Sequence, residues 1–214
     1  MPIAPATKLV SELALAVKRQ FGDESGTQIS DNDIIRWINQ GQLSIAQQGE
    51  ATRTTATTLS VAGQSTYNFP SDSILVLNAV FYDNIPLENY TFEQAQTSLL
   101  AEYGSTTQTA TPFAWYEWEN SINLFPIPDS SDVTIKIYCS KTPPTITSLS
   151  DNIGLPDTHY EVLLQYVLSQ AYELDDDFNS AQIKANQSSA GLKELSLQAS
   201  SRFYDVITIM EEDM

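Results

Sequence analysis

The sequence predicts an α+β protein: a four-helix bundle interrupted by an inserted antiparallel β domain and followed by an extended C-terminal arm. Three observations lead there. Near both ends of the chain apolar residues recur at three- and four-residue spacing, the period of a helix with one buried face. Between Thr52 and about Ser148 the period falls to two, and Thr, Val, Tyr and Phe replace Ala and Gln, as pleated strands require. Past residue 199 a polar run gives way to Phe203, Tyr204, Val206, Ile207, Ile209 and Met210, apolar side chains that want a partner surface where a monomer would fray. The divisions that follow are 1–51 and 149–199 as the two helix pairs of the bundle, 52–148 as the insert and 200–214 as a docking arm.

Each element has its own signal. Val10, Leu13, Ala14, Val17 and Phe21 give a helix from Thr7 to about Phe21, with Gly22 and Gly26 at its exit. Ser30 then stands as N-cap, with Asp33 three residues on, before the stripe Ile34, Trp37, Ile38, Gly41 and Ile45. Gly41 on that stripe predicts a close helix approach. In the insert, Thr57 to Val61 and Thr66 to Phe69 read as a hairpin turned at Ala62–Ser65, and Ile74 to Tyr82 runs into the turn pair Asp83-Asn84 and a returning Ile85 to Leu87. A short helix fits Thr91 to Tyr103 and an exposed loop Gly104 to Ala110. Phe113 to Glu119 and Ser121 to Phe125 form a second hairpin, stopped by Pro126 and Pro128. Val133, Ile135, Ile137 and Cys139 alternate with Thr134, Lys136 and Tyr138 as a half-buried strand. The helical period returns after Pro156 with Tyr160, Leu163, Leu164, Val167, Ala171 and Leu174. Beyond Asp175-Asp-Asp177, Phe178, Ala181, Ala185, Leu192, Leu195 and Ala199 mark a fourth helix. The bundle core therefore draws on Val10, Leu13, Val17, Ile34, Trp37, Ile38, Leu163, Val167 and Leu174.

Charge narrows the function. The chain carries 27 acidic against 10 basic residues, a formal net charge of −17, which argues against binding a phosphate backbone, since that needs clustered Lys and Arg. No Lys or Arg occurs between Arg53 and Lys136, whereas Asp72, Asp83, Glu88, Glu93, Glu102, Glu117, Glu119, Asp129 and Asp132 do. Such a block serves as a solvated face or as a wall that DNA does not stick to. The single cysteine, Cys139, excludes an internal disulfide framework and fits a reducing compartment. No apolar run reaches the roughly 20 residues of a membrane span, and Met1-Pro-Ile-Ala-Pro-Ala has no signal-peptide pattern, so a soluble protein is expected.

Candidate chemistry is sparse, and no catalytic role and no cofactor are expected. Glu117 and Glu119 would share one face of a strand about 6.6 Å apart, near a glycosidase separation. Two neighbours on one strand do not flank a bond from opposite sides, however. His159 is the only histidine, so a cluster of several imidazoles cannot form, and a histidine in a first helical turn is ordinarily at a surface or interface. Asp175-Asp176-Asp177 lacks the Gly and Glu of a calcium loop and reads as a helix terminus with N-cap. Glycines occur only singly, without a phosphate-loop pattern. Cys139 reads as a small buried hydrophobe. Trp115, Tyr116 and Trp118 could form a stacking platform in a carbohydrate-binding or tail-fibre-like module.

Several weak motifs recur in a fixed order: Ile34-Ile-Arg-Trp-Ile-Asn-Gln-Gly-Gln42, Thr57-Thr-Leu-Ser-Val-Ala-Gly-Gln-Ser-Thr-Tyr-Asn-Phe-Pro70, Pro112-Phe-Ala-Trp-Tyr116, Ile122-Asn-Leu-Phe-Pro-Ile-Pro128, Ile135-Lys-Ile-Tyr138 before Pro143-Pro144, and Leu155-Pro-Asp-Thr-His-Tyr160. In this order the chain, over residues 7 to 199, resembles the head-to-tail adaptor (connector) proteins of tailed bacteriophages, in particular the tail tubular protein A family of short-tailed phages. The resemblance implies a structural virion protein of the neck, assembled in the host cytoplasm. It further implies a ring, commonly a dodecamer, between the portal and a tail or nozzle protein, with DNA passing through unbound. The helical bundle would bind portal or neighbour, the insert would receive the tail, and the arm carrying Phe203, Tyr204, Val206, Ile207, Ile209 and Met210 would reach into the portal. No membrane partner is implied.

Overall fold

A computed structural model describes residues 8–49, 51–69, 74–99 and 108–212; the side chains of 49, 74, 75, 98, 99 and 198–212 lie outside that description. The chain divides into two compact units, Met1–Thr52 with Thr142–Met214, and Arg53–Lys141. The first holds four of the five α-helices found among the described residues: α1 (Val10–Phe21), α2 (Asp31–Gly49), α4 (Tyr160–Leu174) and α5 (Phe178–Glu212). The fifth, α3 (Phe92–Gln94), belongs to the second unit and passes into a π turn over Ala95–Leu99.

In the helical unit α1 starts at Leu9, which supplies no side-chain cap. Its first amides are met instead by carbonyls of a distant loop, Val10 N–H to Asp151 O at 3.0 Å and Ser11 N–H to Leu149 O at 2.9 Å, which satisfies donors that every helix start leaves open. The helix ends at Gly22, whose φ of 91° suits a residue without a Cβ. Asp23 is buried, and its carboxylate accepts from the backbone N–H groups of Ile29 (2.9 Å), Gln28 (2.8 Å) and Thr27 (2.9 Å). One side chain thereby folds the whole turn into α2. Ser30 caps α2, accepting from Asp33 N–H at 3.2 Å and donating to the Asp33 carboxylate at 2.6 Å.

A four-helix bundle is not supported. α4 is a hub, packed on α1, α2 and α5. It buries Val162, Leu163, Leu164, Val167, Leu168 and Ala171, residues spread around most of its circumference, so it is wrapped by its neighbours and does not stand at one corner of a square. Gly41 is where α2 comes closest: a Cβ there would lie 2.6 Å from Tyr166 Cδ1 and 2.7 Å from Leu163 Cδ1. Val10, Leu13, Val17, Ile34, Trp37, Ile38, Leu163 and Val167 are all buried. Leu174 is not. It is 55 % exposed, because it is the last residue of α4 and the stripe has run past its packing partners; Tyr172 closes that end, its ring 5.3 Å from Phe21.

The helical unit takes the chain back at Thr142, earlier than the Ser148 that the change of period suggests. Two polar residues of α2 account for this. Asn39 pairs with Ile146 as a strand residue would, donating to its carbonyl at 2.9 Å and accepting from its N–H at 2.8 Å. Gln42, itself buried, donates to Pro144 O at 2.9 Å and accepts from Gly154 N–H at 3.1 Å. Ile146, Ile153 and Leu155 enter the core behind them. A 3₁₀ turn over Asp157–His159 follows Pro156 and leads into α4. Asp177 caps α5 through Ser180 N–H at 3.1 Å. Neither Gly nor Pro occurs after Gly191, so nothing breaks α5, and its backbone runs helically through the stretch expected as an extended arm, to Glu212.

Among the described residues the second unit is built from a small two-stranded sheet and two four-stranded sheets. One has the order β1 (Arg53–Leu59), β10 (Thr134–Lys141), β3 (Ile74–Tyr82), β4 (Ile85–Pro86); the other β2 (Thr66–Asn68), β8 (Ser121–Phe125), β7 (Ala114–Trp118), β5 (Glu88–Asn89). Val80, Tyr82, Ile135, Ile137 and Cys139 from the first meet Tyr67, Trp115, Ile122 and Leu124 from the second in one core, as in packed sheets generally. Antiparallel pairs dominate, but β5 runs parallel to β7, and β6 (Thr109–Ala110) parallel to β9 (Ile127–Pro128). Thus the end of the expected loop Gly104 to Ala110 is a strand, while 104–107 lie outside the described residues.

The expected hairpin of Thr57–Val61 with Thr66–Phe69 does not form. β1 pairs with β10 and β2 with β8, because the intervening loop crosses between sheets and is fastened elsewhere. Gly63 (φ 81°) donates to Pro128 O at 2.8 Å, and the Tyr67 hydroxyl accepts from Val61 N–H at 3.1 Å and donates to Gln64 O at 2.9 Å. The other two hairpins do form. β3 and β4 turn at Asp83-Asn84 (φ 47° and 65°), and β7 and β8 at Glu119-Asn120 (φ 48° and 58°), in the left-handed region that two-residue hairpin turns use.

Candidate docking surfaces

No arrangement among the described residues looks catalytic. Glu119 occupies the β7–β8 turn rather than the strand, so it and Glu117 do not share a strand face as the spacing suggests, and both are exposed. No group of three or more His, Cys, Asp or Glu that could hold a metal occurs among the described residues. Cys139 is 1 % exposed in the sheet core, and burial pushes its thiol pKa up, away from the thiolate form a nucleophile needs. No described helix is long and apolar enough to cross a membrane.

His159, expected at a surface or interface, is buried within the chain at the foot of α4; Nδ1 lies 3.1 Å from Thr158 Oγ1 and Nε2 has no protein partner among the described residues. Desolvation lowers its pKa. The folded chain thus binds this proton less readily than the unfolded chain, and the stability concerned is complete above the unfolded value of about 6.5 and lost as pH falls below it. Asp23, held down chiefly by Ile29 N–H, Asp151, held down chiefly by Thr147 N–H, and Asp177, held down chiefly by Ser180, all lie below the usual carboxylate range. Their share is retained to about pH 4 and lost below it. Thermal melts from pH 8 downward should fall in two stages, and His159→Gln should abolish the stage that begins below about pH 6.5 while sparing the acid one.

The surface of the β unit is acidic. Asp83, Glu88, Glu93, Glu117, Glu119, Asp129 and Asp132 are exposed, and the sequence supplies no Lys or Arg from Thr54 to Ile135. The aromatic cluster does not form one platform. Strand alternation turns Trp115 into the sheet core, 2 % exposed, whereas Tyr116 and Trp118 face the other way. There Phe92 of α3 stacks on Trp118 with centroids 4.0 Å apart and planes inclined by 25°. Sequence reasoning missed Phe92, whose only local sign is the capping pair beside it, Thr91 with Gln94.

Other apolar residues remain exposed on the helical unit, among them Leu15, Phe178, Ile183 and Leu197. In the arm, Phe203, Tyr204, Val206, Ile207, Ile209 and Met210 have helical backbone but their side chains lie outside the described residues.

A family model described as SU10 adaptor protein matches residues 9–209. The chain belongs to the SU10 adaptor protein family. This makes it a phage head-to-tail adaptor, a structural component of the virion neck. No curated protein matches the sequence.

In the adaptor, the motifs that carry the resemblance prove to be fastening points. Asn39, Gly41 and Gln42 of the Trp-Ile-Asn-Gln-Gly-Gln motif hold the returning chain and the α2–α4 approach. Gly63 ties the crossing loop to Pro128 at the end of β9, and Tyr67 holds the loop to itself through Val61 and Gln64. These residues have specific hydrogen-bonding or steric requirements, unlike the core positions, where many apolar side chains would serve.

Proposed function

We propose that the adaptor acts as a ring of copies, twelve by the resemblance, between the portal and a tail component, enclosing a channel that DNA crosses without being bound. The charge distribution carries this reading. A chain with 27 acidic and 10 basic residues, and an 82-residue stretch from Thr54 to Ile135 free of cations, repels duplex DNA and releases no counterions on meeting it. In this reading the β unit, Arg53–Lys141, meets the tail, the helical unit meets portal and neighbour, and residues 200–214 anchor in the portal. Closure into a ring follows from contacts made head to tail between unlike surfaces. No chemistry is asked of any residue, and no cofactor takes part.

The test is assembly in vitro. Purified adaptor should sediment as a monomer alone and add to isolated portal as a complete ring. That ring should show no measurable retention of duplex DNA at physiological salt. A submicromolar dissociation constant for duplex DNA at that salt would contradict the reading, as would portal that takes up isolated copies without closure.

A further inference from the structure

The β unit carries one exposed aromatic feature that its own core does not use. Trp118 is 47 % exposed although one face of its indole is covered by Phe92, and the Tyr116 ring lies 6.1 Å from Phe92 on the same side. A solvent-facing Trp-Phe stack leaves apolar area in water that a monomer gains nothing by exposing. The carboxylates nearest in sequence are exposed and of one sign: Glu93 follows Phe92 and Glu119 follows Trp118, whereas Glu117 lies on the other face of β7 with Trp115. No cation lies within the surrounding 82 residues of sequence. An exposed indole on a surface that carries only carboxylates is complementary to a planar cation, which stacks on the ring and is drawn there by the negative surface. A neutral sugar would use the ring and could donate hydroxyls to carboxylates, but only a cation is also attracted by the net negative charge.

We propose that the Phe92–Trp118 stack is a docking site for an arginine-bearing loop of the tail component. This rests on the reading that the β unit meets the tail, and supplies the chemistry of that contact. Arginine is favoured over lysine because its guanidinium is flat and sheds water more easily. The site also needs no rearrangement, since β7 and the Thr91 capping pair already hold both rings.

The intact adaptor can be tested with an arginine hexapeptide. Trp37 and Trp115 are buried, so the red edge of tryptophan emission reports Trp118. Arginine hexapeptide should shift that emission to the blue and shield it from acrylamide, and lysine hexapeptide should do so less. Trp118→Ala should weaken binding of the labelled arginine peptide roughly fivefold, and Trp118→Phe should restore part of it. Equal binding of both peptides, or undiminished binding by Trp118→Ala, would overturn the inference in favour of charge alone. An equal blue shift with maltohexaose would overturn it in favour of a sugar site, and a shift on concentrating the adaptor alone in favour of a second copy. In particles, Trp118→Ala should leave adaptor on the portal and reduce tail joining. Normal joining by that variant would overturn the inference, while cross-links from Lys136 or Lys141 to a tail component would still uphold the broader reading.

Discussion

Gly41→Leu should destabilise the helical unit by about 3 kcal/mol or more, at the top of the range for overpacking a filled interface. The first added carbon would meet Tyr166 Cδ1 at 2.6 Å and Leu163 Cδ1 at 2.7 Å, and Leu163 is fully buried with nowhere to move. Alanine at the same position gains up to about 1 kcal/mol from helix propensity and leaner backbone entropy, which offsets part of the clash but not the displacement of Leu163. Leucine adds three more carbons and forces α2 from α4. Because Asn39 and Gln42 lie within a turn of Gly41 on the same helix and hold Ile146, Pro144 and Gly154, that displacement also loosens the segment leading into α4. Urea denaturation checks this. Gln40→Leu, one residue away on the exposed side, should change stability by less than about 0.5 kcal/mol.

Truncation after Ser200 should give the opposite combination, a folded chain that no longer joins portal. Described packing of α5 on the unit comes from Ala181, Ser188 and Leu192, with Ser188 Oγ donating to Val162 O at 3.0 Å, all well before the cut. The removed segment holds six apolar side chains, Phe203, Tyr204, Val206, Ile207, Ile209 and Met210, worth together about 9 to 18 kcal/mol gross if fully buried in a partner. Holding a dozen residues in one bound conformation costs up to about 1 to 2 kcal/mol each, so a single arm would bind weakly, and a ring of arms engaged together would hold firmly. Circular dichroism should show a folded protein with an unchanged melting temperature, and co-sedimentation with portal should be lost. Phe203→Ala with Ile207→Ala should give an intermediate loss. A truncated chain that still forms stable rings on portal would assign the anchor to the helical unit.

Much of the architecture was legible because periodicity survives in single elements. The alternation of Ile135, Ile137 and Cys139, the stripe from Leu163 to Ala171, and the turn pair Asp83-Asn84 each reflect a local geometric rule. Pairing between elements is another matter. Thr57–Val61 and Thr66–Phe69 look like a hairpin because a glycine turn separates them, yet Gly63 bonds to Pro128 and Tyr67 pins the loop, and the strands go to different sheets. That outcome depends on partners some sixty residues away. Leu174 and His159 show the same limit for burial: a stripe gives the face but not where the neighbouring helix stops, and a lone polar residue gives no sign of what covers it. The aromatic cluster failed by strand alternation, which sends Trp115 inward and Trp118 outward, and Phe92 reaches Trp118 only through the fold.

A closed ring of adaptors between portal and tail can be seen by electron cryomicroscopy of the native neck. The expected neck holds twelve copies of this chain in one ring, with residues 200–214 against the portal, the β unit against a tail component, and carboxylates lining the channel. A neck in which this chain is absent, or bound as separate copies on the outside of the tail with the β unit facing solvent, would contradict it.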